Sequence, residues 1–85
     1  MKQFSFTIKD PAGIHARPAG VVVQEAKKFQ STVTVKCNGK TGDFKRIFTV
    51  LALCAKCGQV LEIEVSGPDE EAAAAAVKTA LESKL

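Results

Sequence analysis

The dipeptide Asn38-Gly39 places the tightest constraint on the fold, because it stands between two segments that can pair as strands. Asn-Gly is the strongest short-range signal for a β-hairpin. Residues 32–37, before it, alternate polar and apolar side chains. Residues 40–43, after it, are few and polar, as expected of an edge strand. The sequence therefore predicts an antiparallel hairpin in the middle of the chain.

The spacing of apolar residues predicts two further strands and three helices. Residues 4–8 and 60–65 alternate in the same way as residues 32–37. Apolar residues recur at helical spacing over residues 16–29 and 44–53, and a third helix is expected with Gly67 as its N-cap. The order is βαββαβα, and most strands have one apolar face. We therefore expect an α+β fold, an open-faced β-sandwich whose four-stranded antiparallel sheet carries three helices on one face.

Length and composition limit the chain to one small domain that spans residues 1–85. A chain of 85 residues leaves no room for a second core. The net charge of +3 suits an acidic partner, but the chain has no tyrosine or tryptophan, and its phenylalanines fall mainly at expected core positions. Because a stacking platform for bases is then missing, we expect no nucleic-acid partner. A monomer is the expected state.

The N-terminus and the cysteines predict a cytoplasmic protein. Residues 1–5 lack the apolar run of a signal peptide, and no apolar run approaches the roughly 20 residues that span a bilayer. We therefore expect no membrane insertion. Cys37, Cys54 and Cys57 are an odd set without an export signal, which argues against a disulfide framework. We expect Cys54 and Cys57 to be small, partly buried thiols that bind no metal.

The segment 13–19 reads GIHARPA and contains the single histidine of the chain. His15 stands where the first helix is predicted to begin, and Arg17 and Pro18 lie in its first turn. Free backbone N–H groups at the positive end of a helix favour an anion, and a guanidinium can grip phosphoryl oxygens. The pattern indicates a site for a phosphoryl group. A histidine that only caps the helix fits the same residues, so chemistry alone leaves both possibilities open.

This segment resembles the active-site signature of HPr, the histidine-containing phosphocarrier of the bacterial phosphoenolpyruvate-dependent sugar phosphotransferase system. The resemblance covers essentially the whole chain. It extends to the length, the βαββαβα order, the Asn38-Gly39-Lys40 turn, Gly58 and Gly67. It implies a phosphocarrier rather than an enzyme, without a cofactor.

The resemblance also implies a relay and a role for each residue of the motif. Enzyme I would pass a phosphoryl group to Nδ1 of His15, and the carrier would give it to enzyme IIA domains for sugar uptake. Arg17 would neutralise the transferred group, and the helix N-terminus, at Ala16 and Arg17, would bind it. An HPr-like regulatory paralogue, in a nitrogen-type relay or as a docking regulator, remains an alternative. Retention of His15 and Arg17 argues against a pure docking regulator, but a nitrogen-type relay would keep both.

A carrier must dock several partners with one face and release them quickly. The resemblance implies that this face lies beside the histidine and comprises Gly20, Arg46, Ile47, Phe48 and Leu51. We expect Phe48 to be the exposed anchor, whereas Ile47 and Leu51 could instead fill the core. Lys40 and Lys45 are expected to add, with Arg46, a basic rim that steers acidic partners.

Three positions depart from the family pattern. Many HPr proteins carry a regulatory serine at the start of the second helix, where a dedicated kinase phosphorylates it. Arg46 stands at that position here, so we expect no serine switch. Cys54 replaces a common glycine, and a residue with a Cβ would strain a left-handed helix end if one is used. Ala12 replaces a frequent polar residue near the histidine.

Overall fold

The fold is the predicted βαββαβα arrangement, as seen in a computed structural model that describes residues 1–84. Its elements, in chain order, are β1 (Lys2–Thr7), α1 (Ala16–Ala26), β2 (Thr32–Cys37), β3 (Lys40–Asp43), α2 (Ile47–Leu51), β4 (Val60–Ser66) and α3 (Glu70–Lys84). No helix within residues 1–84 has the length and apolar character of a membrane-crossing segment.

The four strands form one antiparallel sheet in the order β1-β4-β2-β3. Ile63, on the central strand β4, lies opposite Phe4 of β1 on one side and Val35 of β2 on the other. The predicted hairpin joins β2 to β3, with φ of 56° at Asn38 and 73° at Gly39. Positive φ at both central residues is what a tight two-residue hairpin turn requires.

Because side chains alternate along a strand, β1, β2 and β4 direct most of their apolar residues to the same face of the sheet. α3 packs on β1 and β4, α1 packs on α3, and α2 packs on α1 and β3. The buried strand residues under the helices are Phe6, Val33, Val35, Cys37, Gly42, Leu61, Ile63 and Val65. The other face of the sheet carries exposed or half-buried polar residues such as Ser5, Lys36 and Glu62. This confirms the open-faced α+β sandwich.

The first two helices are shorter than their apolar patterns predict. α1 ends at Ala26 because the N–H groups of Lys28 and Phe29 donate to carbonyls only three residues back, which tightens the chain out of the α-helix. α2 begins at Ile47 rather than at residue 44, because the N–H of Phe44 donates to the carbonyl oxygen of Val33 at 2.9 Å. Phe44 is fully buried, so its apolar signal comes from the core and not from a helix face.

α3 begins at Glu70, not directly after the predicted N-cap Gly67. The Asp69 carboxylate accepts hydrogen bonds from the N–H groups of Gln30 and Ser31, at 3.0 and 2.9 Å, and from the Ser31 hydroxyl. Gly67 has φ of 152°, and a Cβ there would lie 2.6 Å from the Ser31 side chain. Contacts with a distant segment, Gln30 and Ser31, therefore decide how the chain enters this helix.

Candidate functional site

His15 is the N-cap residue of α1, as the sequence predicts. Its backbone is extended, with φ of −144° and ψ of 168°, and its carbonyl oxygen accepts the N–H of Ala19 at 3.1 Å. The imidazole makes no capping hydrogen bond to the helix, and its side chain is 44% exposed. The ring is therefore held at the positive end of the helix but is open to a partner.

The first turn of α1 supplies donors for an anion beside His15. Geometry leaves the first N–H groups of a helix without acceptors in the helix, and these include those of Ala16 and Arg17. Pro18 has no N–H to leave unsatisfied, and its ring is buried. Arg17 is exposed, and no ion pair within residues 1–84 engages its guanidinium. The first turn can therefore bind phosphoryl oxygens through backbone and side-chain donors.

Asp10 is a site residue that sequence reasoning missed. Its Oδ2 lies 3.4 Å from Nε2 of His15, and its Oδ1 accepts the N–H of Ala12 at 2.8 Å. The Ala12 hydrogen bond, and to a lesser degree the His15 contact, lower the pKa of the Asp10 carboxyl, although burial opposes them. The sequence signal was an Asx turn, since aspartate commonly accepts the N–H two residues on. A turn at this position by itself gives no reason to pair Asp10 with His15.

The loop that carries His15 is hydrogen-bonded to, and packed against, the segment after α2. The N–H of Ile14 donates to the carbonyl oxygen of Ala55 at 3.0 Å. Gly13, with φ of 71°, packs so closely that a Cβ would lie 2.6 Å from that same oxygen. The N–H of Gly58 donates to the carbonyl of Ile8 at 2.8 Å, just before the loop. These contacts fix where the histidine stands relative to α2.

The residues expected to form the docking face differ in exposure. Phe48 is 82% exposed, whereas Ile47 and Leu51 are half-buried and pack against the core. Gly20 is half-buried on α1, and Arg46 is exposed as the N-cap of α2. Since α2 packs against α1, these residues lie on adjoining helices.

Of the three residues expected to form the basic rim, Lys40 and Arg46 are exposed but Lys45 is half-buried. Lys45 is half-buried, and its Nζ donates to the carbonyl oxygen of Phe29 at 2.8 Å, just beyond the end of α1. Lys40 is exposed, and its Nζ lies 3.4 Å from the carbonyl oxygen of Ala52. Lys45 thus has a structural contact, and Arg46 is the more accessible charge beside Phe48.

Cys54 and Cys57 are both exposed, which corrects the expectation that they are partly buried. Cys54 has φ of 53°, so the helix end does use the left-handed conformation that favours glycine. The thiol of Cys57 lies 3.7 Å from the carbonyl oxygen of Lys9. Within residues 1–84, no three histidine, cysteine or carboxylate side chains are grouped as metal ligands.

A groove of about 610 Å³ runs between α1 and α3 and is lined largely by small side chains. Val21, Ala76 and Ala80 are among its lining residues, but His15 is not. The histidine is therefore presented at the surface and is not part of that groove. An open-faced sandwich that presents a histidine and an arginine at the start of its first helix defines the class of small histidine phosphocarriers.

Comparison with known proteins places the chain within this class. Residues 2–83 match the family model described as the PTS HPr component phosphorylation site. The chain belongs to this family, the HPr phosphocarriers of the phosphotransferase system. Phosphocarrier protein HPr of Mycoplasma capricolum subsp. capricolum is 42% identical over 92% of this chain and 88% of its own length. The HPr of Mycoplasma genitalium is 43% identical over 96% of this chain and 94% of its own length.

Solved structures agree with this assignment. A Mycoplasma histidine-containing phosphocarrier protein superposes with a TM-score of 0.93 at 39% identity, covering 96% of this chain and 93% of its own. HPr-C-His from Thermoanaerobacter tengcongensis gives a TM-score of 0.91 at 38% identity, covering 99% and 94%. The relatives are phosphocarrier proteins and not catalytic enzymes, and the phosphotransferase system supplies their partners.

Proposed function

We propose that this chain accepts a phosphoryl group from phosphorylated enzyme I on Nδ1 of His15 and passes it to enzyme IIA domains for sugar uptake. The observation that carries the proposal is the half-exposed imidazole at the N-terminus of α1. Such a ring can reach a donor and an acceptor in turn. Family membership supports a phosphocarrier role. We propose in addition that enzyme I and enzyme IIA domains are the partners and that Nδ1 of His15 is the accepting atom.

The phosphoryl transfer depends on positioning and on charge stabilisation. Nδ1 of His15 attacks the phosphorus, a new N–P bond forms, and the bond to the donor breaks. Negative charge on the phosphoryl oxygens is met by the N–H groups of Ala16 and Arg17 and by the Arg17 guanidinium. Because Arg17 is exposed, its side chain can follow the group without leaving a buried partner. The reverse sequence delivers the group to the next protein.

The docking face we propose comprises Gly20, Arg46, Ile47, Phe48 and Leu51. Phe48 projects from it as the apolar anchor, and aromatic anchors contribute strongly to small interfaces. Arg46 adds a positive charge that favours acidic partners and faster association. The relay would act in the cytoplasm, with the protein as a monomer.

Incubation with phosphoenolpyruvate and a competent enzyme I tests the proposal. We expect one acid-labile phosphate per chain in the wild type and none in His15→Ala. Circular dichroism of the variant checks that its fold is intact, as expected for a half-exposed side chain. Wild-type protein that stays unlabelled, or His15→Ala that is labelled as fully, would refute the proposed relay.

Transfer to an enzyme IIA domain separates a sugar relay from the regulatory alternatives. Phosphorylated protein should lose its label to a sugar-specific IIA domain, with the label then recovered on that domain. Preferential transfer to a nitrogen-type IIA protein would instead support the paralogue in a nitrogen relay. Retention of the label with both acceptors would contradict a role as carrier.

A further inference from the structure

We propose that Asp10 is a positioning residue that holds the proton of the neutral His15 ring on Nε2, so that Nδ1 carries the attacking lone pair. The inference rests on the proposed function, because it explains which ring nitrogen receives the phosphoryl group. It is carried by the contact of 3.4 Å between Oδ2 of Asp10 and Nε2 of His15. The family signature at residues 13–19 does not include Asp10.

The direction of this contact follows from what each group can donate. An ionised carboxylate has no proton and can only accept hydrogen bonds. A neutral imidazole has one N–H, on either Nδ1 or Nε2. If Nε2 faces the carboxylate of Asp10, the hydrogen bond forms only with the proton on Nε2. Nδ1 of His15 is then unprotonated, which is the form that can attack phosphorus.

Contacts within the fold orient the Asp10 carboxylate toward His15 in the free protein. Oδ1 of the carboxylate accepts the N–H of Ala12 at 2.8 Å, which turns Oδ2 toward His15. The Asp10 carbonyl oxygen accepts the N–H of Gly13, also at 2.8 Å. Gly13 is in turn packed against the carbonyl of Ala55. The carboxylate is therefore oriented by a loop whose position is set by tertiary contacts.

The contact is expected to strengthen during transfer. When Nδ1 of His15 bonds to phosphorus, the ring gains positive charge while the proton stays on Nε2. A more positive N–H is a stronger donor to the Asp10 carboxylate. Hydrogen bonds of this kind are often long in the free protein and shorten as the reaction proceeds. Asp10 thus acts on the ring from the side opposite the phosphoryl group.

Asp10→Asn is the sharpest variant, because it should reverse the proton position while keeping the turn. The asparagine oxygen can still accept the N–H of Ala12, which leaves the amide NH₂ facing Nε2 of His15. An amide donor there requires Nε2 to accept, and the ring proton moves to Nδ1. Asp10→Ala, in contrast, removes the contact without supplying a donor and should give a mixture of the two forms.

The ¹⁵N NMR shifts of the unphosphorylated ring, at a pH where it is neutral, report the proton position directly. We expect the Nε2–H form to dominate in the wild type and the Nδ1–H form in Asp10→Asn. Phosphorylation by enzyme I should then slow about tenfold, in proportion to the reactive fraction of the ring. Asp43→Asn is the matched control, since Asp43 accepts the N–H of Lys45 at 2.8 Å in a similar turn. It should change neither the ring shifts nor the rate.

Three results would each overturn the role of Asp10. The first is a wild-type ring with its proton on Nδ1, and the second is ring shifts that do not respond to Asp10→Asn. The third is a changed proton position with an unchanged rate of phosphorylation. Failure of the relay itself is distinguishable, because wild-type protein would then remain unlabelled whatever the ring spectra show. The spectra decide whether Asp10 sets the proton position, and the rate decides whether that position matters for phosphorylation.

Discussion

The backbone N–H of Ile14 donates a hydrogen bond to the carbonyl oxygen of Ala55, with a distance of 3.0 Å between nitrogen and oxygen. The bond joins the residue before His15 to the segment that follows α2. It therefore couples the position of the histidine to the helix that bears Phe48. A carrier that must present one residue beside one docking face needs this kind of fixed relationship.

Gly13→Ala should destabilise the protein and displace the histidine loop. The positive φ of 71° costs a residue with a Cβ about 1–2 kcal/mol, and the Cβ would lie 2.6 Å from the Ala55 oxygen. We expect the free energy of unfolding, measured with urea, to fall by more than about 2 kcal/mol. Gly39→Ala is the control, because Gly39 has φ of 73° but open space around it. Equal losses in the two variants would show that close packing at Gly13 contributes nothing.

Cys54→Gly should stabilise the protein. Cys54 is exposed and has φ of 53°, so its Cβ strains the backbone without adding buried area. Relief of that strain stabilises the folded protein, whereas glycine raises the conformational entropy of the unfolded chain. The net effect should be an increase of about 0.5–1 kcal/mol in the free energy of unfolding. Cys57→Gly serves as control, since no positive φ occurs at Cys57, and it should be neutral or destabilising. A loss of stability in Cys54→Gly would contradict the account.

Asp69 should make stability depend on pH in the acid range. The pKa of its carboxyl is lowered from the ordinary value of 3.8, first by the Ser31 hydroxyl and then by the Gln30 N–H, against burial. The folded pKa is below the unfolded one, so the stabilisation is fully present above pH 3.8 and is lost as pH falls through the folded pKa.

Asp69→Asn tests this by removing the titrating group but keeping one acceptor oxygen. Wild type should be the more stable at neutral pH, and the difference measured by urea unfolding should shrink below about pH 4. The pKa values of Asp10 and Glu70 are also lowered, so both proteins retain some dependence on pH. If the difference in free energy of unfolding between the two proteins stays constant down to about pH 2, Asp69 does not contribute to the pH dependence of stability.

Phe48→Ala should weaken docking and leave stability almost unchanged. Phe48 is 82% exposed, so its truncation removes little buried area. If its ring anchors enzyme I, the loss of about 1–2 kcal/mol should raise KM for the carrier roughly 5- to 30-fold. Phe44→Ala, at a fully buried ring four residues earlier, should instead cost about 3–5 kcal/mol of stability. An unaltered KM in Phe48→Ala would remove Phe48 from the docking face.

Incubation with an HPr serine kinase and ATP should give no phosphoserine. Arg46, which has no hydroxyl, is the N-cap of α2, and this is the position at which the resemblance to HPr implies a regulatory serine. Mass spectrometry would locate any phosphate, and an HPr that carries the serine provides the positive control. Stoichiometric phosphoserine at any serine of the chain would contradict the prediction, although residues 44–53 themselves contain no serine.

The sequence by itself determined the order of the elements, the hairpin and the place of His15. Alternation over residues 32–37 and the Asn38-Gly39 turn are local features, and they specify β2 and β3 without reference to the rest of the chain. The motif at residues 13–19 likewise identified the start of α1. These features could be predicted because a turn or a periodicity depends on neighbours in sequence.

Only the tertiary structure decided where α2 and α3 begin, and which groups surround the histidine. The N–H of Phe44 bonds to the Val33 carbonyl oxygen instead of starting the expected helix, and the Asp69 carboxylate accepts the N–H of Ser31, 38 residues away in sequence. The contact of Asp10 with His15 forms because the loop closes on itself against Ala55. Each of these partners lies far away in sequence or depends on a loop closure. No pattern of neighbouring residues encodes the energy of such contacts. Tertiary packing therefore decides where these helices begin and which groups surround His15.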